Sequence, residues 1–209
     1  MEFIPLGSTC SVAYQLQQLK LRQCAYPFDW LRNESMEDIT KTIKNNFADF
    51  VTSCCKVNES DKFPISTDDQ FPEKNINKDK SLIMKNKYNM KFYHDFDDKT
   101  TIEQVNEKYQ RRINRFISAI KEQKNICFVR DELKPNKLTD TMITDFIREL
   151  KNINSLIEVK MIIILHNPKN QPVKLQSSEN ITIVNDTADF EDWIRPNVDW
   201  KTIFKKIDI

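Results

Sequence analysis

The sequence predicts an α/β fold, with a mainly parallel sheet and helices on both faces. Three segments carry this prediction, because each is a continuous apolar run that ends in polar residues: 125–132, 159–167 and 180–186. Segments with helical periodicity separate them. Strands that are apolar on both faces and alternate with helices are typical of parallel sheets covered on both sides. The length of 209 residues fits a single domain spanning 1–209.

The first element is a short β-type run, EFIPLG, followed by a tight turn that holds Gly7. A helix is predicted to begin at Cys10, capped by Ser8 or Thr9, because apolar residues recur at helical spacing: Val12, Ala13, Leu16 and Leu19. A second helix is predicted to begin at Ser35.

The second half of the chain is more regular. Thr100 and Glu103 predict a capping box that opens a long helix, and a further helix is predicted over residues 139–152. CFVR and IIILH should form neighbouring central strands, and the residues from Phe190 onward are predicted to be helical.

Residues 56–89 are polar, contain Pro64 and Pro72, and show no sustained period. A stretch of this length without regular structure is long for a compact domain. We therefore predict an insertion or lid loop over 56–89.

Limited proteolysis of the folded protein should cut first within 56–89, since exposed polar loops are the preferred sites of nicking. The cut sites can be located by mass spectrometry of the early fragments. A first cut elsewhere would contradict the assignment.

Composition excludes several classes of protein. The net charge of +1 predicts no nucleic-acid partner, and no apolar run approaches 18 residues, so we expect no membrane association and a cytoplasmic location. Five cysteines without a Cys-x-x-Cys pair, and two histidines, give no zinc signature; we expect reduced thiols, no metal and no cofactor. A single glycine rules out the glycine motifs of phosphate-binding loops, dinucleotide-binding folds and lipase-type nucleophile elbows.

The sole glycine lies three residues before Cys10, in GSTC. A cysteine in the first turn of a helix is exposed to backbone N–H groups that favour the thiolate. Gly7 would permit a sharp turn and a close approach of substrate to Ser8 and Thr9. These features make Cys10 a candidate nucleophile with a pKa below about 8.5, although a small buried cysteine beside an ordinary turn fits them as well.

His94, in KFYHDF, is the candidate base for that thiol. On a strand it would share one face with Phe92 and Phe96, whereas Asp95 would point to the other. Asp29, between two aromatic residues in PFDW, is therefore the preferred carboxylate to orient the imidazole. Asp95, Asp97 and Asp131 remain alternatives, and a structural role for His94 stays open.

Other polar residues are predicted at the carboxyl ends of the parallel strands, where α/β folds bind ligands. Arg130 and His166 lie at such ends, and with Arg22 they are candidates to hold an anionic group of a substrate. Pairing of Arg130 with a nearby acid is the structural alternative.

The segment LGSTCSVAYQLQQLKLRQCAYPFDWL resembles the opening of the DUF1796 family, whose members are described as papain-like cysteine peptidases. The resemblance rests on these positions: Gly7, Cys10, Ala13, Leu16, Leu21, Arg22, Pro27, Phe28, Asp29 and Trp30. FYHDF, followed by KYQRRINRF, and then ICFVRDE extend it in the same order. The resemblance implies Cys10 as nucleophile and His94 as base.

Two functions follow as expectations. The first is a thiol-dependent hydrolase or acyltransferase, resembling a cysteine peptidase, that acts on a peptide, isopeptide or acylated glycan. The alternative is a module that binds an anion or nucleotide sugar through Arg22, Arg130 and His166, without thiol chemistry. The sequence leaves the oligomeric state open.

Overall fold

Two four-stranded sheets, one parallel and one antiparallel, organise the computed structural model, which describes residues 1–57, 82–122, 125–188 and 193–205. In chain order the elements are β1 (Glu2–Pro5), α1 (Ser11–Gln18), β2 (Leu31–Arg32), α2 (Met36–Lys44), β3 (Cys55–Lys56), β4 (Leu82–Lys85), β5 (Lys91–Phe96), α3 (Ile102–Lys121), β6 (Ile126–Glu132), a short 3-10 helix (Pro135–Lys137), α4 (Asp140–Ile153), β7 (Lys160–His166), β8 (Ile181–Asp186) and α5 (Trp200–Lys205).

The parallel sheet has the strand order β1-β6-β7-β8. The two central strands pair in parallel over six residues, from Cys127 opposite Lys160 to Glu132 opposite Leu165. All seven residues of β6 are buried, as expected for a central strand covered on both faces. The predicted α/β class, the parallel sheet and the two neighbouring central strands are confirmed.

Helices cover both faces of this sheet, as predicted. Alternate residues of β1 show the division, because Ile4 faces the core of α2, α3 and α4, whereas Phe3 packs with α1 and α5. Phe128 and Val129 divide in the same way on β6. The two-residue period of the strands thus builds two apolar layers.

The antiparallel sheet, in the order β2-β5-β4-β3, was not predicted as a sheet. β2 and β3 have two residues each, too few to show an alternating pattern. Phe92 of β5 pairs with Leu31 and packs against Phe50 and Tyr109. The second sheet therefore shares the larger core with the parallel sheet, and the chain forms one domain.

Most of the predicted insertion, residues 58–81, lies outside the described residues. At its flanks, β3 and β4 pair as antiparallel strands, with Cys55 opposite Lys85. The prediction that 56–89 is irregular is therefore wrong at residues 82–85. β4 is only four residues long, and its register against β5 shifts between Leu82 and Met84.

The starts of helices α1 to α4 agree with the sequence to within a residue. The N-cap of α1 is Cys10 itself, rather than the predicted Ser8 or Thr9. Ser35 caps α2, accepting a bond from the Glu37 N–H at 3.1 Å. The capping box of α3 uses Thr101 and Gln104 rather than the predicted pair Thr100 and Glu103. Thr100 instead donates its hydroxyl to Asp97.

Near the chain's end, helix α5 begins only at Trp200, later than predicted; Phe190 itself lies outside the described residues. Within the described ranges, none of the helices combines the length and the hydropathy needed to cross a membrane.

Both the backbone conformation and the neighbouring atoms require a glycine at position 7. Its φ of +72° lies in the left-handed region, and a Cβ there would lie 2.2 Å from Nδ2 of Asn33. That amide donates to the carbonyl of Leu6 at 3.2 Å, so it is held in place at the turn. Only glycine fits both constraints.

Gly7→Ala should lower the free energy of unfolding by about 2–5 kcal/mol, because it combines left-handed strain with loss of the Asn33 hydrogen bond. Urea denaturation gives the value. Ser8→Gly is the matched control: Ser8 has a φ of +66°, so glycine relieves strain there and stability should stay within about 1 kcal/mol of wild type. Equal losses in both variants would contradict this explanation.

Candidate active site

Cys10 and His94 meet where the two sheets adjoin. Cys10 is the N-cap of α1, directly after the turn that follows β1, and His94 lies in the middle of β5. The Cys10 Sγ and the His94 Nε2 are 3.8 Å apart, although 84 residues separate them in the chain. This is the distance of a thiol–imidazole hydrogen bond.

The two side chains differ in their contact with solvent. Cys10 is only 9% exposed, whereas His94 is exposed even though its neighbours Phe92 and Phe96 are buried. A molecule arriving from solvent would therefore meet the imidazole and the edge of the thiol together.

The pKa of Cys10 is raised to about 12, chiefly because burial removes water from the thiolate. The charge of Arg32 lowers it, but Asp95 and Asp29 raise it further. The predicted depression of the pKa is wrong for this reason: desolvation outweighs the start of an eight-residue helix. The thiol is thus protonated at neutral pH in the free protein.

The ring of Trp30 lies beside the imidazole. Its centroid is 6.5 Å from that of His94 with the planes at 89°, an edge-to-face contact. The guanidinium of Arg22 lies over the same indole at 5.5 Å. Trp30 therefore restricts the orientation of His94 and is itself covered by a cation.

Asp29 is fully buried and anchors Arg22. Its Oδ2 accepts from Arg22 Nε at 3.0 Å, from Arg22 Nη2 at 2.5 Å and from the Tyr26 N–H at 3.1 Å. Burial raises the pKa of Asp29, and the charge and hydrogen bonds of Arg22 oppose this rise. Asp29 thus contacts Arg22, which packs on Trp30, and Trp30 contacts His94. The Arg22 guanidinium, predicted to hold a substrate, is instead bonded to the Asp29 carboxylate.

Arg130 is also enclosed. It is 0% exposed and donates from Nε to Glu132 at 2.7 Å and from Nη1 to the Leu6 carbonyl at 3.2 Å and the Asn33 Oδ1 at 2.7 Å. The structural alternative, pairing with a nearby acid, describes this position. Arg130 supports the Gly7 turn from within the core.

His166 lies at the carboxyl end of β7, half-buried, with its Nδ1 3.8 Å from Oδ2 of Asp186. Burial raises the pKa of Asp186, but the neighbouring His166 and the charge of Arg195 outweigh this and leave the pKa lowered. His166 therefore belongs to a cluster of charged and polar side chains, with Asp186 and Arg195, at this edge of the sheet.

The alternative carboxylates have other contacts. Asp95 accepts from the Tyr109 hydroxyl at 2.9 Å and pairs with Lys108 at 2.5 Å. Asp97 accepts from the backbone at the start of the α3 cap. Asp131 binds Ser11 and Arg195.

Three site features escaped the sequence analysis. Trp30 lies in PFDW, but the local sequence pattern assigns it no role. The guanidinium of Arg32 packs over the Tyr93 ring at 5.1 Å, and this contact depends on a two-residue strand that the sequence does not reveal. Arg195 gave no sequence signal, since it lies between turns.

Among the described residues, His, Cys, Asp and Glu side chains form no group of three that could hold a metal ion.

Residues 1–169 match the family described as "Putative papain-like cysteine peptidase (DUF1796)". The chain belongs to this family. The DUF1796 match includes both Cys10 and His94 and ends before β8 and Arg195.

The chain is also 35% identical over 216 residues to "Uncharacterized protein R408" of Acanthamoeba polyphaga mimivirus. The alignment covers 96% of each protein, so this likeness extends beyond the DUF1796 match. No solved structure matches the chain.

Arg22→Met should destabilise the protein by about 3–5 kcal/mol at pH 8, because it leaves the buried Asp29 carboxylate without its cation. Removing Arg22 raises the pKa of Asp29 further above its unfolded value. Protonation then favours the folded state as the pH falls, so the deficit should shrink between pH 8 and pH 5. Urea denaturation at both pH values measures the loss in the free energy of unfolding.

Lys87→Met is the matched control, since it breaks an exposed ion pair with Asp49 whose carboxyl has a lowered pKa. The loss of unfolding free energy in Lys87→Met should be smaller and should be the same at pH 5 and pH 8. A deficit of Arg22→Met that does not change with pH would show that Asp29 is not the group responsible.

Proposed function

We propose that this protein is a thiol-dependent hydrolase or acyltransferase in which Cys10 is the nucleophile and His94 is the general base. The contact of 3.8 Å between Sγ and Nε2 is the observation that carries this proposal. It places a nucleophile and a base of the right types within reach, on separate elements that the fold holds together. Membership of a family described as papain-like cysteine peptidases supports it.

The reaction proceeds in two halves. The Cys10 Sγ attacks the carbonyl carbon of an acyl donor while its proton passes to Nε2 of His94, so this nitrogen must be unprotonated and Nδ1 must carry the ring hydrogen. The carbonyl electron pair moves to oxygen, then returns as the bond to the leaving amine or alkoxide breaks. His94 gives its proton to that leaving group. Water or an acceptor alcohol or amine then attacks the thioester by the reverse sequence and restores the thiol.

The raised pKa of Cys10 determines when the proton moves. Because the free thiol is protonated, we infer that proton transfer accompanies attack rather than preceding it. His94 thus acts as the base in the reacting complex. A bound substrate that covers the exposed imidazole would strengthen its interaction with sulfur by excluding water.

Backbone N–H groups at the start of α1 are the proposed donors to the oxyanion. The Ser11 N–H is already donated to Thr9 Oγ1 at 3.3 Å. We therefore assign the role to the N–H groups of Thr9 and Cys10, beside the left-handed residues Gly7 and Ser8 that set the course of the turn.

Asp29 is proposed as a positioning residue. It holds Arg22 over Trp30, and Trp30 meets the edge of the His94 ring. The carboxylate would then orient the imidazole through packing rather than through a direct bond.

Thiol chemistry is favoured over binding of an anion or nucleotide sugar. Each basic side chain proposed for that alternative lies against a carboxylate: Arg22 against Asp29, Arg130 against Glu132, and His166 against Asp186. These carboxylates would repel an incoming phosphate. A peptide, an isopeptide or an acylated glycan remains the proposed substrate, and five free thiols fit the cytoplasmic location that we propose.

Incubation with p-nitrophenyl acetate should produce a burst of p-nitrophenol and an acetyl group on Cys10, located by mass spectrometry. His94→Ala should slow this acylation by about 10²- to 10⁴-fold, the usual contribution of a positioned base.

Cys54 provides the matched comparison. It is 8% exposed, against 9% for Cys10, and its pKa is likewise raised to about 12. The two thiols are similarly exposed and the pKa of each is raised, so preferential acylation of Cys10 would reflect His94 rather than a more acidic thiol. Similar rates at the two thiols, or no effect of His94→Ala, would refute the proposed function.

A further inference from the structure

A buried carboxylate fixes the start of the helix that carries Cys10. Asp131, at the carboxyl end of β6, is 0% exposed and accepts from the Ser11 hydroxyl at 2.8 Å. The same Ser11 oxygen lies 2.7 Å from Oγ1 of Thr9. Both neighbours of Cys10 in the chain are thereby tied to the parallel sheet.

Arg195 neutralises that carboxylate. Its Nη1 lies 2.9 Å from Oδ1 and 3.0 Å from Oδ2 of Asp131, and its Nη2 also bonds to Asp186 of β8. The guanidinium is 2% exposed, so little water competes with these bonds. Burial raises the pKa of Asp131, and the charge of Arg195 is the main influence that opposes the rise.

The segment around Arg195 also packs along α1. Gln15 donates its side-chain amide to the Ile194 carbonyl at 2.7 Å, and the rings of Tyr14 and Trp193 meet edge to face at 5.3 Å. The Arg195 carbonyl accepts from Trp200 Nε1 at 2.9 Å, which joins the segment to α5. The C-terminal segment thus contacts α1 at Tyr14 and Gln15.

We propose that Ser11, Asp131 and Arg195 form a positioning unit that sets the Cys10 Sγ against His94. The inference rests on the proposed function. It assigns a task in that chemistry to residue 195, which lies beyond the family match at residues 1–169.

The geometry at the start of α1 leaves a task for such a unit. Cys10 makes no side-chain cap bond at the start of the helix, and the preceding Gly7 and Ser8 both have positive φ values. The strand β1 therefore does not by itself fix the direction of α1. His94 lies on the other sheet, so a shift of α1 by about 1 Å would lengthen the contact between sulfur and nitrogen, and such shifts cost about 100-fold in rate.

A double-mutant cycle tests this assignment with acylation of Cys10 by p-nitrophenyl acetate. The rate is measured in the wild type, His94→Ala, Asp131→Asn and the double variant, and the melting temperature is recorded for each. Asp131→Asn keeps the shape of the side chain but removes the charge that holds Arg195. We expect His94→Ala to slow the wild type by about 100-fold or more, and the Asp131→Asn protein by less than about 10-fold.

Four further variants sharpen the result. Ser11→Ala removes only the hydroxyl and should reduce the His94 effect even if Asp131→Asn fails to fold. Arg195→Lys keeps a cation and should retain more of that effect than Arg195→Met. Asp145→Asn breaks an exposed pair with Arg148 on α4 and should leave the His94 effect unchanged.

The outcomes separate the two proposals. If Asp131→Asn and Ser11→Ala lower the melting temperature while the full His94 effect persists, the unit is only structural and the inference is overturned. If His94→Ala has no effect in the wild type, the proposed function fails first, whatever Asp131 does. A His94 effect that shrinks in Asp131→Asn and Ser11→Ala but not in Asp145→Asn supports the inference.

Discussion

One buried guanidinium joins the two sheets on which the site is built. Arg130 belongs to the central strand β6, yet its Nη1 binds the Leu6 carbonyl after β1 and the Asn33 side chain after β2. Asn33 in turn closes over Gly7. The turn that delivers Cys10 and the sheet that delivers His94 are therefore fixed to the same side chain, and Glu132 supplies its counter-charge.

Two physical effects act against each other on the Cys10 thiol. The start of a helix favours a thiolate, whereas burial beside Asp29 and Asp95 disfavours it more strongly. The raised pKa favours the thiol form of the sulfur, which is a weaker nucleophile than the thiolate. In the proposed reaction, the thiol gains reactivity only when a base is correctly placed. The proposed chemistry therefore depends on alignment more than on the intrinsic acidity of the thiol.

The parallel sheet could be predicted because continuous apolar strands such as Ile126–Glu132 leave a strong pattern. The antiparallel sheet could not, since β2 and β3 have two residues each and their pairing is decided by distant contacts. The sequence also placed Cys10 and His94 together as candidates, through local pattern and family resemblance. It could not tell that Arg130 would turn inward, because a charged residue at a strand end has the same local pattern whether it meets a ligand or a buried acid. The pKa of Cys10 was missed for a related reason, since desolvation depends on the whole fold.

The contact between Arg195 and Asp131 has a consequence for the order in which the protein matures during translation. Cys10, Asp131 and His94 are all synthesised before Arg195, so a nascent chain carries the thiol, the imidazole and a buried acid while its counter-ion is still missing. In that interval Asp131 lacks its electrostatic partner, and under the proposed positioning role the sulfur is not yet held against the ring. On the proposed function, a chain synthesised only as far as the residues before Arg195 would therefore be catalytically silent.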